Sequence, residues 1–377
     1  MKTRSLLVAV TFLASLPAMA EVHIAAVYST SGPQAPIDGA SWQGVRAVVD
    51  QVNRGGGIGG SKVSVTLYPI DSTAKAAAKA VEEALKNDPG LDGFVGLSDT
   101  DLARAAADVA ARRGKVFITS GATSPRLPGQ VWGGRTFLAC FGDNAQAAVA
   151  AEWLVRTREV TTAAVLYNET KSYTRLLQGY FTSAFHRHRG RITGRLGYRP
   201  GETLLIPPAI LKAESIYLAA ETADEALGII AVLRGKGFAG PILGGDGYDA
   251  PAKWAKNPLA AGVYFTTHAF PARTAGAATA ADVKAFRAAL KKSGQTAGAF
   301  AGLGRDAALL LLRAIASSGG RDRALVRSLR FAPPFPGVTG SISYRRGNVP
   351  VKPVALVDAT RPDYQMLQMT PLWVPRP

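Results

Sequence analysis

The sequence predicts an α/β protein of two similar lobes, each built on a doubly wound, mostly parallel sheet, with a cleft between them. Three observations carry this prediction. From residue 22 the hydrophobic pattern runs β-α-β-α-β-α-β; a second βα series begins after 137–144; and a tail of helices and short strands then returns to both.

In the first series, 22–29 alternates as a strand. A helix over 41–54 follows, with Trp42, Val45, Val49 and Val52 on one face. Strand 62–71, helix 73–87, strand 91–97, a helix over about 101–113 and strand 115–120 complete the series. The second series comprises helix 145–157, strand 163–168, helix 173–187, strands 191–198 and 215–220, helix 223–236, and strands 241–246 and 262–270. The tail turns helical at 280–293, 301–318 and 322–329, and closes with short strands near 339–344, 351–357 and 364–369.

Residues 1–20 have the features of a secretory leader. Lys2 and Arg4 precede a short apolar run, and "AMA" at 18–20 supplies a small-residue cleavage site. The apolar run is shorter than the roughly 20 residues that span a bilayer, and no lipobox cysteine follows it. Export is expected, which in a bacterium means the periplasm. The remainder is long enough for two domains. The lone Cys140 forms no internal disulfide and is expected to be a small buried hydrophobe. The formal charge is +17, but the basic residues are scattered, with clusters only at 186–191 and 344–348. A solvated basic surface is predicted, not a nucleic-acid site.

The stretch "NRGGGIGGSKV" carries Gly55, Gly57 and Gly60 at the G-x-G-x-x-G spacing of dinucleotide-binding loops. Its context is reversed, because a helix enters the loop and a strand leaves it. A helix C-terminus offers spare carbonyls that repel phosphate. The glycines are therefore expected to end a helix and turn the chain, with no cofactor bound. Four histidines, His23, His186, His188 and His268, form no metal-ligand or triad pattern, and no G-x-S-x-G or H-E-x-x-H occurs. Neither a metal site nor an enzyme is predicted.

Ligands of open α/β sheets sit beyond the carboxyl ends of the strands. The first lobe presents loops 28–39, 96–101 and 119–125 there. The second presents 168–174, 220–225 and 244–249.

The motifs "SGP" at 31–33, "GVRAVVDQVNRGGGIGG" at 44–60, "VGLSDTDLARAAADVAARRGKVFITSGATSP" at 95–125 and "LRGKGFAGPILGGDGYDAP" at 233–251 follow one another in the order of a known family. Together they resemble the Leu/Ile/Val-binding family, the periplasmic solute-binding proteins of branched-chain amino-acid ABC transporters. The resemblance implies a type I periplasmic binding fold of two Rossmann-like lobes, with crossover segments near 138–142, 266–271 and 337–341. The implied lobes are 21–139 plus 271–339, and 140–270 plus 340–377. It further implies a monomer that closes on a small amino acid or related carboxylate and docks to a membrane permease.

By the same resemblance, Thr100 and Thr123 hold the ligand carboxylate, the Gly121 carbonyl accepts from the ammonium group, Tyr173 covers the ligand and Asp246 pairs with the ammonium. Thr222 stands where the family can have a tyrosine. Local roles compete with these. Thr100 can cap the helix beginning at Asp101, and Thr123 can stabilise a turn before Pro125. Asp246 can serve as a turn residue, and Tyr173 can be a surface aromatic. Ile37 replaces an aromatic wall, Asp99 and Glu221 add carboxylates, and 200–214, with Pro207 and Pro208, replaces a longer helix. The side-chain pocket is therefore altered, and leucine, isoleucine and valine are not assumed. An aromatic acid or amide as ligand, and a sensing subunit in place of a transport one, remain as alternatives.

Overall fold

The computed structural model describes residues 21–268, 278–320, 322–361 and 367–377. The leader reading of 1–20 lies outside these residues, as do 269–271 of the second expected crossover and parts of strands 262–270 and 364–369.

The first sheet is five-stranded and parallel. It contains β1 (Val22–Ser29), β2 (Val63–Ile70), β3 (Gly93–Gly96), β4 (Phe117–Thr119) and β5 (Thr136–Leu138), in the order β2-β1-β3-β4-β5. Around it lie α1 (Ala35–Arg54), α2 (Ala74–Asn87), α3 (Thr100–Arg112) and the one-turn α4 (Leu127–Gln130). Apolar cores cover both of its faces, which is why Phe94, Val95, Phe117 and Ile118 form continuous buried runs.

The chain then enters the second lobe through α5 (Asp143–Thr157). β6 (Thr162–Asn168), α6 (Ser172–Arg187), β7 (Arg191–Tyr198), α7 (Pro208–Leu211) and β8 (Ser215–Ala219) follow. Next come α8 (Ala223–Gly235), β9 (Ile242–Gly244), α9 (Pro251–Trp254) and β10 (Val263–Thr267). α10 (Ala280–Lys292), α11 (Ala299–Ser318) and α12 (Asp322–Phe331) return to the first lobe, where α11 packs along α1. The approach is close: a Cβ on Gly44 of α1 would lie 1.9 Å from the Ala301 carbonyl of α11.

A hairpin of β11 (Phe335–Gly337) and β12 (Gly340–Ile342) occupies the region expected to cross between lobes. The chain joins the second sheet only at β13 (Val354–Asp358) and β14 (Leu367–Met369). The seven-stranded order is β14-β13-β10-β9-β8-β6-β7, with β13 and β14 antiparallel to their neighbours. This is the two-sheet α/β architecture that the element order predicts.

One element differs usefully. α1 begins at Ala35, six residues before the expected start, because Pro36 in its first turn suits helical φ and needs no N–H partner there. The loop after β1 is accordingly short, and it delivers Gln34 directly to the cleft.

The glycine loop is a turn. Gly55 ends α1 at φ −83°, and Gly56 and Gly57 take φ +95° and +79°. Asn53 locks the turn to β2: its amide donates to the Val63 carbonyl at 2.8 Å, and its Oδ1 accepts from the Val63 N–H at 2.9 Å. A Cβ on Gly57 would stand 1.9 Å from the Ser61 carbonyl oxygen. Gly57→Ala is therefore expected to destabilise the protein by about 1–3 kcal/mol, read as a fall in melting temperature. Gly55→Ala, at negative φ, should leave it nearly unchanged; equal losses at both positions would contradict this account of the turn.

Candidate functional site

The carboxyl ends of both sheets face one another, and a cavity of about 20 Å³ lies between them. Gln34, Ile37, Ser98, Asp99, Thr123 and Phe300 line it from the first lobe, and Tyr173, Glu221, Asp246 and Gly247 from the second. Three of the six residues expected at the site, Thr123, Tyr173 and Asp246, thus line one cavity.

The other three stand apart from its lining. Thr100 is the first residue of α3 and is buried, and among the described residues no hydrogen-bond partner reaches its hydroxyl. Gly121 packs behind the wall, where a Cβ would meet Ser98 Oγ at 2.8 Å and the Phe300 ring at 2.9 Å. Thr222 caps α8, its hydroxyl accepting from the Glu225 N–H at 3.2 Å; its neighbour Glu221 faces the cavity instead.

Asp246 sits just past β9 in a network drawn from distant segments. Its Oδ1 accepts from the Gln146 amide at 2.7 Å and the Tyr173 hydroxyl at 2.8 Å. His268 Nε2 lies 3.1 Å from Oδ2. Burial holds His268 below its usual range despite the carboxylate beside it, so the neutral ring donates from Nε2. The ring also stacks on Phe141, with centroids 4.0 Å apart. Gln146 completes its role by accepting the Asp246 N–H at 3.1 Å and the Thr266 hydroxyl at 2.8 Å.

Behind this network, burial and the Asp246 carboxylate push Asp143 up to about 8, so it keeps a proton at neutral pH. Thr123 is tied to the same group. Its carbonyl accepts the Asp143 N–H at 2.8 Å.

At the opposite end, Asp99 caps α3 in place of Thr100, Oδ1 accepting from the N–H groups of Asp101 and Leu102 at 2.7 and 2.9 Å. Its Oδ2 takes Lys171 of the other lobe at 3.1 Å. Burial alone would raise Asp99, but Lys171 holds it below the ordinary carboxylate range. Gln34 donates across the cleft to Glu221 Oε1 at 2.8 Å, and the Ser172 N–H donates to Asp101 Oδ2 at 3.1 Å. These contacts join the lobes on one side of the cavity.

Sequence reasoning flagged Asp99 and Glu221 without placing them, and it missed Gln34, Gln146, Lys171, His268 and Phe300 as parts of the site. Gln34 and Lys171 fall in loops that were marked as ligand-facing. Gln146 and His268 had no local signal.

Two mostly parallel sheets presenting polar loops to a shared cleft, with side chains of both lobes lining one cavity, define a two-lobed solute-binding protein. The family model described as periplasmic binding protein matches residues 21–363, and the chain belongs to that family, which is non-enzymatic. The chain is 27% identical over 349 residues to a Leu/Ile/Val-binding protein of Rhizobium johnstonii, spanning 89% of this chain and 91% of that protein. It is 25% identical over 260 residues to a Leu/Ile/Val-binding protein homologue of Brucella melitensis, spanning 66% and 69%.

Among solved structures it is similar to a leucine-binding protein of Thermotoga maritima, with a TM-score of 0.82 and 23% identity over 93% of this chain and 99% of that one. It is also similar to an ABC-transporter solute-binding protein of Rhodopseudomonas palustris in complex with 3,4-dihydroxybenzoic acid, at TM-score 0.79 and 16% identity over 94% and 99%. These likenesses show the fold.

The protonated Asp143 gives a pH signature. The folded protein keeps this proton up to about pH 8, whereas an unfolded chain loses it near pH ~4. Stability from this group is therefore full in acid and is lost as pH rises toward 8. Asp143→Asn should flatten the fall in melting temperature between pH 5 and 8; an unchanged slope would show that Asp143 is ionised in the fold.

Proposed function

We propose that this chain captures a small amino acid or related carboxylate in the periplasm as the substrate-binding component of an ABC importer, and that lobe closure on the ligand favours docking to a membrane permease. The observation that carries this reading is the pairing of unlike chemistries across one cavity. Thr123 of the first lobe offers uncharged donors, and Asp246 of the second offers a carboxylate. A ligand with an anionic and a cationic group on adjacent atoms matches both.

Thr100 and the Gly121 carbonyl extend the first-lobe end of this proposed site, Tyr173 covers it, and Thr222 acts through the α8 cap beside it. The names of the Rhizobium and Brucella relatives support an amino-acid ligand. The secretory pattern of residues 1–20 supports export. One ligand is expected per monomer, held when closure replaces its hydration with preformed hydrogen bonds.

An aromatic acid, the ligand named with the Rhodopseudomonas relative, has no cation for Asp246 and would bring a carboxylate close to it. A sensing subunit would use the same site, and its receptor would take the place of the permease.

The test is a melting-temperature screen of the mature protein against amino acids, aromatic acids and amides. An amino acid should raise the midpoint with one-to-one stoichiometry. Asp246→Asn should weaken that amino acid by about tenfold or more while barely affecting a simple carboxylate. Equal losses for both, or stabilisation only by acids without an amino group, would overturn the ammonium pairing.

A further inference from the structure

The cleft gathers more carboxylates than ammonium groups to answer them. Asp99, Glu221 and Asp246 all line the cavity, and all three are buried. The cation that reaches the first two is Lys171, through Asp99 Oδ2. The charges facing Glu221 are Asp99, Lys171 and the following helix's Glu225.

Glu221 is only 7% exposed, and its Oε1 accepts from Gln34. Among the described residues no donor reaches its Oε2, and its carboxyl interacts with that of Asp99 on the other lobe. Such a pair has to carry a shared proton or receive a cation from outside, because an unpaired buried carboxylate costs several kcal/mol. Burial first, and Asp99 second, push Glu221 well above the ordinary carboxylate range, so in this closed arrangement the proton sits on Glu221. Ile37 and Phe300 line the same cavity and are suited to packing against a methylene chain.

We infer that the Gln34–Asp99–Glu221 end of the cleft receives a cationic side chain, so that the ligand is an amino acid with a second positive charge, of the lysine, ornithine or arginine class. This rests on the amino-acid reading above and narrows it. The ligand's α-groups meet the Thr123 and Asp246 end, and its distal ammonium or guanidinium takes the place of the proton between Glu221 and Asp99. The methylenes lie against Ile37 and Phe300. The added carboxylates Asp99 and Glu221 then have one cause, since a leucine side chain would bring Glu221 no cation to take the place of its proton.

The experiment is calorimetric titration of the mature protein with L-lysine, L-arginine, L-leucine and benzoate, repeated with Glu221→Gln. Lysine or arginine should bind at least about tenfold more tightly than leucine, and Glu221→Gln should remove most of that preference. Leucine binding as tightly as lysine and arginine would overturn this inference and leave the amino-acid reading intact. Benzoate binding with no amino acid bound would overturn both. The wild-type preference decides the matter even if the variant fails to fold.

Discussion

A buried carboxylate must be given donors, a proton or a cation, and this constraint organises the centre of the molecule. Asp99, Asp143, Glu221 and Asp246 come from different segments and converge where the two sheets meet. Each is answered differently. Asp246 receives Gln146, Tyr173 and His268; Asp143 keeps its proton; Asp99 takes helix N–H groups and Lys171; and Glu221 takes Gln34 and keeps a proton beside Asp99. Two of these partners, Lys171 across the lobe boundary and His268 just past β10, tie the carboxylates to the junction of the lobes. The electrostatics of the cleft and the relative position of the lobes are therefore one problem.

The segments between lobes are anchored by the same logic. Lys352 is buried and donates to the Ala139 carbonyl at 2.8 Å and to the Thr339 hydroxyl at 2.6 Å, tying the start of the first crossover to the β11–β12 turn. Asp306 of α11 accepts from Thr339 and from the Val338 N–H at the same turn. Burial lowers Lys352 to about 8, an effect that nearby Asp306 opposes. On the second-lobe side, His268 at the end of β10 stacks on Phe141 and reaches Asp246. His268 thus links the end of β10 and Phe141 to the carboxylate that lines the cavity.

Much of this was legible in the sequence because it depends on local pattern. The element order, both sheets, and the reversed context of the 55–60 glycines follow from hydrophobic periodicity and helix-end chemistry. Of the site, Thr123, Tyr173 and Asp246 were placed by motif resemblance, and they line the cavity. What was not legible depends on tertiary pairing. Gln146 and Asp246 are 100 residues apart, and Lys171 and Asp99 are 72 apart, so no local pattern connects them. The helix-cap role considered for Thr100 belongs to Asp99, one residue earlier, a difference within the ordinary uncertainty of helix boundaries. The early start of α1 was missed because Pro36 reads as a helix breaker until its first-turn position is known.

The central claim is that ligand enters between the lobes and is held where they meet. The rim contact between the Ser172 N–H and Asp101 offers a direct test, because neither residue lines the cavity. In the double variant Ser172→Cys and Asp101→Cys, a disulfide would lock the lobes around a cavity of about 20 Å³, room for about one water and not for an amino acid. The measurement is uptake from an amino-acid mixture, read by mass spectrometry of the retained small molecule. The account predicts uptake by the reduced variant and none by the oxidised one. Equal uptake by both would place the ligand elsewhere and contradict it.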